Sequence, residues 1–178
     1  MNKSIVYLIC LMVLLFVGVT GCGPQDETRT LPYTRYVESY DGARVPVPDH
    51  PKRILALSSA SDTILLGLVE PDRLVGINTL STYEEYSLEA KRAKLVKPAM
   101  SSYPLEKIIA LEPDLVIAPD YTSADVIAGL RHMGIPTVVV PTGTTVESVI
   151  KNVTDIAHIV GEDEKGQFYE QKIRRELE

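Results

Sequence analysis

Ser58, Ser59 and Ser61 follow an apolar run over residues 54–57, where a nucleophile could stand at the end of a strand. Acyl transfer from such a serine needs a base within hydrogen-bond reach, most often histidine. The three histidines do not fit: His50 precedes the run, and His132 and His158 fall within segments of helical periodicity, away from any strand's C-terminal end. The same placement argues against a zinc or manganese site, which needs several His or acidic side chains converging on one loop cluster. Thr142-Gly143-Thr144 could hold an anion on backbone N–H groups or serve as a plain N-cap turn, and both readings stand. There is no phosphate-binding loop, no G-x-G-x-x-G turn and no G-x-S-x-G elbow. Tyrosine is what the loops do contain. Of nine tyrosines, Tyr83, Tyr86, Tyr103 and Tyr121 lie in loops after successive apolar runs. A phenol offers a broad apolar face with a polar tip, suited to a bulky organic ligand or chelate, and equally to structural packing.

The elements that must position these side chains are legible as short apolar runs alternating with helical periodicity. Residues 54–57, 74–77, 115–118 and 135–140 predict strands, and their continuous apolar character suits strands covered on both faces. Pro104 fits the first position of a helix that carries Leu105, Ile108 and Ile109 on one face and stops at Glu112-Pro113. Thr122 with Asp125, and Thr144 with Glu147, have capping-box spacing. After the second, Val146, Val149, Ile150, Val153, Ile156, Ala157 and Val160 form a helical stripe that ends at Gly161, a C-cap. Before all of these, Asp41-Gly42 between 36–40 and 43–47 predicts a β-hairpin with a type I′ turn, its second strand limited by Pro46 and Pro48. The closing stretch, 162–178, is a polar helix with a narrow stripe at Tyr169, Ile173 and Leu177; Glu170 with Arg174 and Lys172 with Glu176 are spaced for ion pairs. The expected class is α/β: an open, mostly parallel sheet with helices on both faces, a Rossmann-like lobe with an N-terminal β-hairpin.

The chain of 178 residues carries a formal net charge of −6, which argues against a nucleic-acid partner. Lys3, an apolar run over 5–19 and small residues after it have the shape of a secretory signal. Fifteen helical residues span roughly 22 Å, short of the roughly 30 Å hydrocarbon core, which disfavours a permanent transmembrane anchor. Val19-Thr20-Gly21-Cys22 resembles a bacterial lipobox, with an ordinary signal peptide as the alternative. On the lipobox reading Cys10 is discarded, Cys22 is acylated, and no free thiol is left for disulfides or catalysis. Acyl chains contribute about 0.8 kcal/mol per buried methylene, so two or three on one cysteine hold a protein to a membrane. The expected localisation is therefore extracytoplasmic and lipid-anchored. The expected organisation is a signal peptide over 1–21, a lipidated flexible tether over 22–35, one lobe over 36–161 and the start of a helix over 162–178.

Several segments in fixed order resemble the lipid-anchored solute-binding proteins of ABC importers for iron-siderophores, haem and cobalamin. They are Tyr40-Asp41-Gly42 through Pro48, His50-Pro51-Lys52-Arg53-Ile54-Leu55-Ala56-Leu57-Ser58, Asp72-Arg73-Leu74-Val75-Gly76-Ile77, Leu105-Glu106-Lys107-Ile108-Ile109-Ala110-Leu111-Glu112-Pro113-Asp114-Leu115-Val116-Ile117 and Leu130-Arg131-His132-Met133-Gly134-Ile135-Pro136. The resemblance implies two α/β lobes joined by one long helix, with ligand in the cleft between them. It implies that 36–161 is the N-terminal lobe, that 162–178 begins the linking helix, and that the second lobe is absent, as in a truncated or split form. It also implies that Glu106 docks a membrane permease, although an acid there complements the helix dipole in any case. The sequence departs from the family at Ser59, Thr63 and Val69, where Pro, Glu and Gly are usual, so ligand identity does not carry over. The expected function is uptake of a metal chelate without chemistry, catalytic residue, metal site or cofactor of its own. The ligand-cleft candidates are Ser58, Ser59, Tyr83, Tyr86, Tyr103 and Tyr121. Two alternatives stay open, an exported serine hydrolase-like lipoprotein using Ser58 or the Thr142 turn, and a ligand-free adaptor lobe for a permease.

Overall fold

Strands β1 (Arg35–Glu38) and β2 (Arg44–Val47) pair antiparallel, with Tyr36 opposite Pro46. The computed structural model describes residue 33 and residues 35–178; the expected signal segment, Cys22 and most of the expected tether lie outside the described residues. The hairpin is present, but its turn is not type I′. That turn needs positive φ at both central residues, and only Gly42 has it, at 82°. Gly42 N–H instead donates to Ser39 C=O and Ser39 N–H to Ala43 C=O, each at 2.8 Å, a three-residue loop closed by glycine in the left-handed region.

The strands β3 (Ile54–Ala56), β6 (Leu115–Pro119) and β7 (Thr137–Val140) form a parallel sheet in the order β3-β6-β7. The strands β4 (Ile77–Asn78) and β5 (Ala99–Met100) pair in parallel, and a bridge from Ile54 to Leu74 sets the segment leading into β4 beside β3. The chain thus runs outward from β3 through β4 to β5, then returns to β6 on the other side of β3. Strand β5, two residues long, was not expected.

Side-chain alternation explains the continuous apolar runs. Ile54, Ala56, Leu115 and Ile117 point into one core with α1 (Ser59–Leu68) and α5 (Val146–Val160); Leu55, Leu57, Val116 and Ala118 point into a second with α3 (Leu105–Ala110) and α4 (Ala124–His132). Each strand buries both faces, so neither face tolerates polar alternation. The short helix α2 (Ala90–Ala93) lies between β4 and β5. At the chain's end α6 (Asp163–Leu177) packs on α5, where a Cβ on Gly166 would stand 2.5 Å from that of Ala157. Arg174 pairs with Glu170 as its spacing predicts, while Lys172 and Glu176 form no ion pair. Among the described residues no helix is long and apolar enough to cross a membrane.

Three caps fall one residue from their expected places. Pro104 is the N-cap of α3 rather than its first helical residue, with an extended ψ of 146°. Ser123, not Thr122, precedes α4, and no side chain caps it. Thr145, not Thr144, caps α5, in a capping box whose third residue is Ser148 rather than Glu147. Where hydroxyls are adjacent, spacing alone does not choose between them. Gly161 ends α5 at φ 76°, the expected left-handed C-cap.

The resembling segments have a structural basis. The Asp114 carboxylate accepts the backbone N–H groups of Lys52 and Arg53 at 2.7 and 2.9 Å, and the Arg53 guanidinium donates to Leu111 and Glu112 carbonyls at 2.6 and 2.7 Å. One arginine and one aspartate thereby lock the loop before β3 to the turn before β6.

Candidate functional site

The reversal of strand order between β3 and β6 sends their following helices, α1 and α4, to opposite faces of the sheet. A crevice must then open at the carboxyl ends of the strands, where open α/β sheets bind ligands. A cavity of about 380 Å³ lies there, lined by Ser58, Ser59 and Thr63 beside β3, Tyr121 after β6, Thr142 after β7, and Asn152 on α5. Apart from Ser61 its remaining wall is apolar, including Ile64, Pro119 and Val149, and no lining residue carries a charge.

Ser58 is the N-cap of α1: its hydroxyl accepts Ser61 N–H at 3.2 Å and donates to Ser61 Oγ at 3.0 Å. A hydroxyl so committed, with no histidine beside it among the described residues, is a cap and not an activated nucleophile. Ser59 starts the helix, half-buried at the cavity, and Thr63 shares a 3.1 Å hydrogen bond with Ser87. Thr142 is held by Asp120, whose carboxylate accepts both its hydroxyl at 2.6 Å and its N–H at 3.1 Å. The Thr142 turn is therefore already occupied by an internal carboxylate.

The structure divides the four loop tyrosines. Tyr121, exposed, lines the cavity with Ser58 and Ser59. Tyr83 and Tyr86 form an edge-to-face pair 6.5 Å apart in the loop after β4, both exposed and outside the cavity lining. Tyr103 packs on the second core, and its buried hydroxyl has no hydrogen-bond partner. Burial, reinforced by the Asp62 carboxylate, raises its pKa. Glu106 stands in the first turn of α3, exposed, without a hydrogen bond or ion pair to another described residue.

Two residues that spacing did not single out shape the site. Asp62, in the first turn of α1, is completely buried; desolvation pushes its carboxyl up to about 7 against the pull of hydrogen bonds from Asn78 and Ser81. It ties α1 to the loop after β4 that carries Tyr83 and Tyr86. Asn152 lies on the buried side of α5, and its Nδ2 donates to Pro141 C=O at 2.8 Å. Their sequence signals were slight: Asp62 follows a serine at capping-box spacing, and Asn152 interrupts the apolar stripe at i+3 from Val149.

A larger groove, about 630 Å³, separates the hairpin from α5 and includes Tyr36, Tyr40, Lys151, Asp155 and His158. It lies against the outer edge of β7, away from the reversal point, and its Lys151 and Asp155 are paired at 2.6 Å. Among the described residues no three His, Cys, Asp or Glu side chains converge as a metal site would require.

Residues 54–178 match the pattern described as periplasmic binding protein, from the first strand of the sheet to the last residue of the chain. The chain belongs to the periplasmic binding protein family. Its similarities agree with this. It is 28% identical to the ABC transporter substrate-binding lipoprotein YvrC of Bacillus subtilis (strain 168), over 93% of this chain and 54% of that protein. It is 31% identical to the vitamin B12-binding protein of Vibrio campbellii, over 71% of this chain and 45% of that one. The crystal structure of the heme binding protein HmuT superposes with a TM-score of 0.63 at 27% identity, over 80% of this chain and 45% of that one. The chain therefore spans about half the length of the curated relatives it matches. The names of these relatives describe binding, of a substrate, of vitamin B12 and of heme, and not a reaction.

Proposed function

We propose that this periplasmic binding protein chain forms the ligand-receiving face of an uptake receptor. It takes a metal chelate, a ferric siderophore, haem or a corrinoid, and delivers it to the permease of an ABC importer. The observation that carries the reading is the uncharged, partly apolar cavity at the strand-order reversal, where Ser59 and Tyr121 offer hydroxyls with no protein partner. Such a surface binds and releases; it has no base, nucleophile or oxyanion donors converging on a reacting atom. On this reading acylated Cys22 holds the protein on the outer side of the cell membrane. On the same reading a second lobe, joined through α6, closes over the ligand. Glu106, exposed and free of ion pairs, is the carboxylate offered to the permease. The experiment is photo-crosslinking from position 106 in cells that express the chain, with the adduct identified by mass spectrometry. A crosslink to an ABC permease subunit that strengthens when ligand is supplied supports delivery; a ligand-independent crosslink supports an adaptor lobe, and no permease adduct contradicts both.

A further inference from the structure

The cavity's electrostatics select among chelates, and this inference rests on the binding-protein reading. Helix N-termini at the carboxyl edge of a sheet ordinarily attract anions through free N–H groups and the positive end of the dipole. Here side chains already take part of that donor set. Ser58 Oγ accepts Ser61 N–H, Thr145 Oγ1 accepts Ser148 N–H at 3.2 Å, and Ser148 Oγ accepts the N–H groups of Thr144 and Thr145 at 3.0 and 2.9 Å. The dipoles of α4 and α5 are also met by acids, Asp125 and Glu147, in their first turns. Asp120 holds the Thr142 turn. No lysine, arginine or histidine lines the cavity. The cation associated with this group, Arg174, is engaged by Glu147 and Glu170.

What the wall offers is neutral. Asn152 is 8% exposed, and because its Nδ2 donates to the Pro141 carbonyl, the atom left over is Oδ1, a buried acceptor with no donor in the protein. An unmet buried acceptor costs free energy that a ligand N–H or O–H can recover. Ser59 and Tyr121 add hydroxyls that can either donate or accept.

We infer that this lobe receives an uncharged, amide- or hydroxyl-bearing face of its chelate and discriminates against anionic groups. A corrinoid with carboxamide side chains or a neutral ferric trihydroxamate meets these demands. Haem presented by its propionates, or a triply anionic ferric tricatecholate, would lose the hydration of its charges with no cation in the wall to replace it.

The test is equilibrium dialysis of the full chain against cyanocobalamin, ferrichrome, haemin and ferric enterobactin at low salt, together with Ser59→Arg, whose fold is checked by circular dichroism. The expected result is retention of cyanocobalamin or ferrichrome at least about tenfold above both anionic probes, with Ser59→Arg raising retention of the anionic ones. Equal or stronger retention of haemin or ferric enterobactin by the unaltered chain overturns the charge inference and leaves the receptor reading standing. Retention of none of the four overturns both.

Discussion

The Asp62 carboxylate accepts the Ser81 hydroxyl at 2.9 Å with both residues buried, and the same oxygen accepts Asn78 N–H at 2.7 Å. Its other oxygen, Oδ1, is buried without a partner. The polar tie between α1 and the loop after β4 is therefore half satisfied. The satisfied half positions the loop; the unsatisfied half makes the charged form expensive.

Stability should accordingly fall as pH rises. The folded carboxyl titrates at about 7 and the unfolded one near its ordinary value of 3.8, so between those values the folded chain holds a proton that the unfolded chain has lost. The resulting penalty is fully developed above the folded value and amounts to roughly 4–5 kcal/mol at about 1.4 kcal/mol per pH unit. Asp62→Asn should raise Tm at pH 8, keep less than half of that advantage at pH 5 and lose it only below about pH 4. Thermal unfolding of both proteins at the two pH values checks this, and a variant less stable at pH 8 would contradict it.

Asp41 should show the opposite sign. Arg131 donates to both of its oxygens, at 2.7 and 3.1 Å, and this pairing holds the carboxyl at about 2. Arg131 also donates to Ser39 and the Thr137 carbonyl, so the pair fastens the hairpin to α4 and β7. Stability from a depressed carboxylate is present above its unfolded value and lost as pH falls through the folded one. Both side chains are partly exposed, so Asp41→Asn should cost about 0.5–1 kcal/mol at pH 7, measured by urea unfolding. The cost should shrink toward pH 3; a cost that does not change with pH would contradict the ion-pair account.

Gly161→Ala should be among the more damaging single substitutions. The residue sits at φ 76°, and a Cβ there would stand 2.2 Å from the Asp49 carbonyl oxygen. Left-handed strain and a backbone clash together should cost about 2–4 kcal/mol in urea unfolding. A loss below about 0.5 kcal/mol would show that the loop carrying Asp49 yields freely.

Glu106→Arg separates docking from folding. The side chain is exposed and forms no internal ion pair, so unfolding free energy should change by less than about 0.5 kcal/mol. In a reconstituted importer that takes this chain as its binding protein, stimulation of ATP hydrolysis should be lost, while stimulation equal to the unaltered chain's would remove Glu106 from the docking surface.

The parts of the fold that could be read from sequence are those whose physics is local or repetitive. Strands β3, β6 and β7 bury both faces and therefore leave uninterrupted apolar runs, and α5 declares itself by its stripe and by Gly161. Strand β5 has two residues and leaves no pattern to read. The cap of α5 shifts to Thr145 because the Ser148 hydroxyl, and not the Glu147 carboxylate, reaches back to the backbone. At the site, position after a strand pointed to Ser58, Ser59 and Tyr121, but Tyr103 turned inward and Tyr83 with Tyr86 faced elsewhere, which loop conformation decides. Asp62 and Asn152 matter because of what tertiary packing denies them, and their unmet oxygens have no counterpart in spacing.

The most direct test of the receptor account locates the bound solute. Amide chemical shifts of the full chain should be followed during titration with cyanocobalamin and with ferrichrome at concentrations that populate millimolar complexes. The account predicts that the largest changes cluster at Ser59, Thr63, Tyr121, Thr142 and Asn152 around the strand-order reversal. Changes centred instead on Tyr36, Tyr40 and His158 in the hairpin groove, or none with either solute, would contradict it.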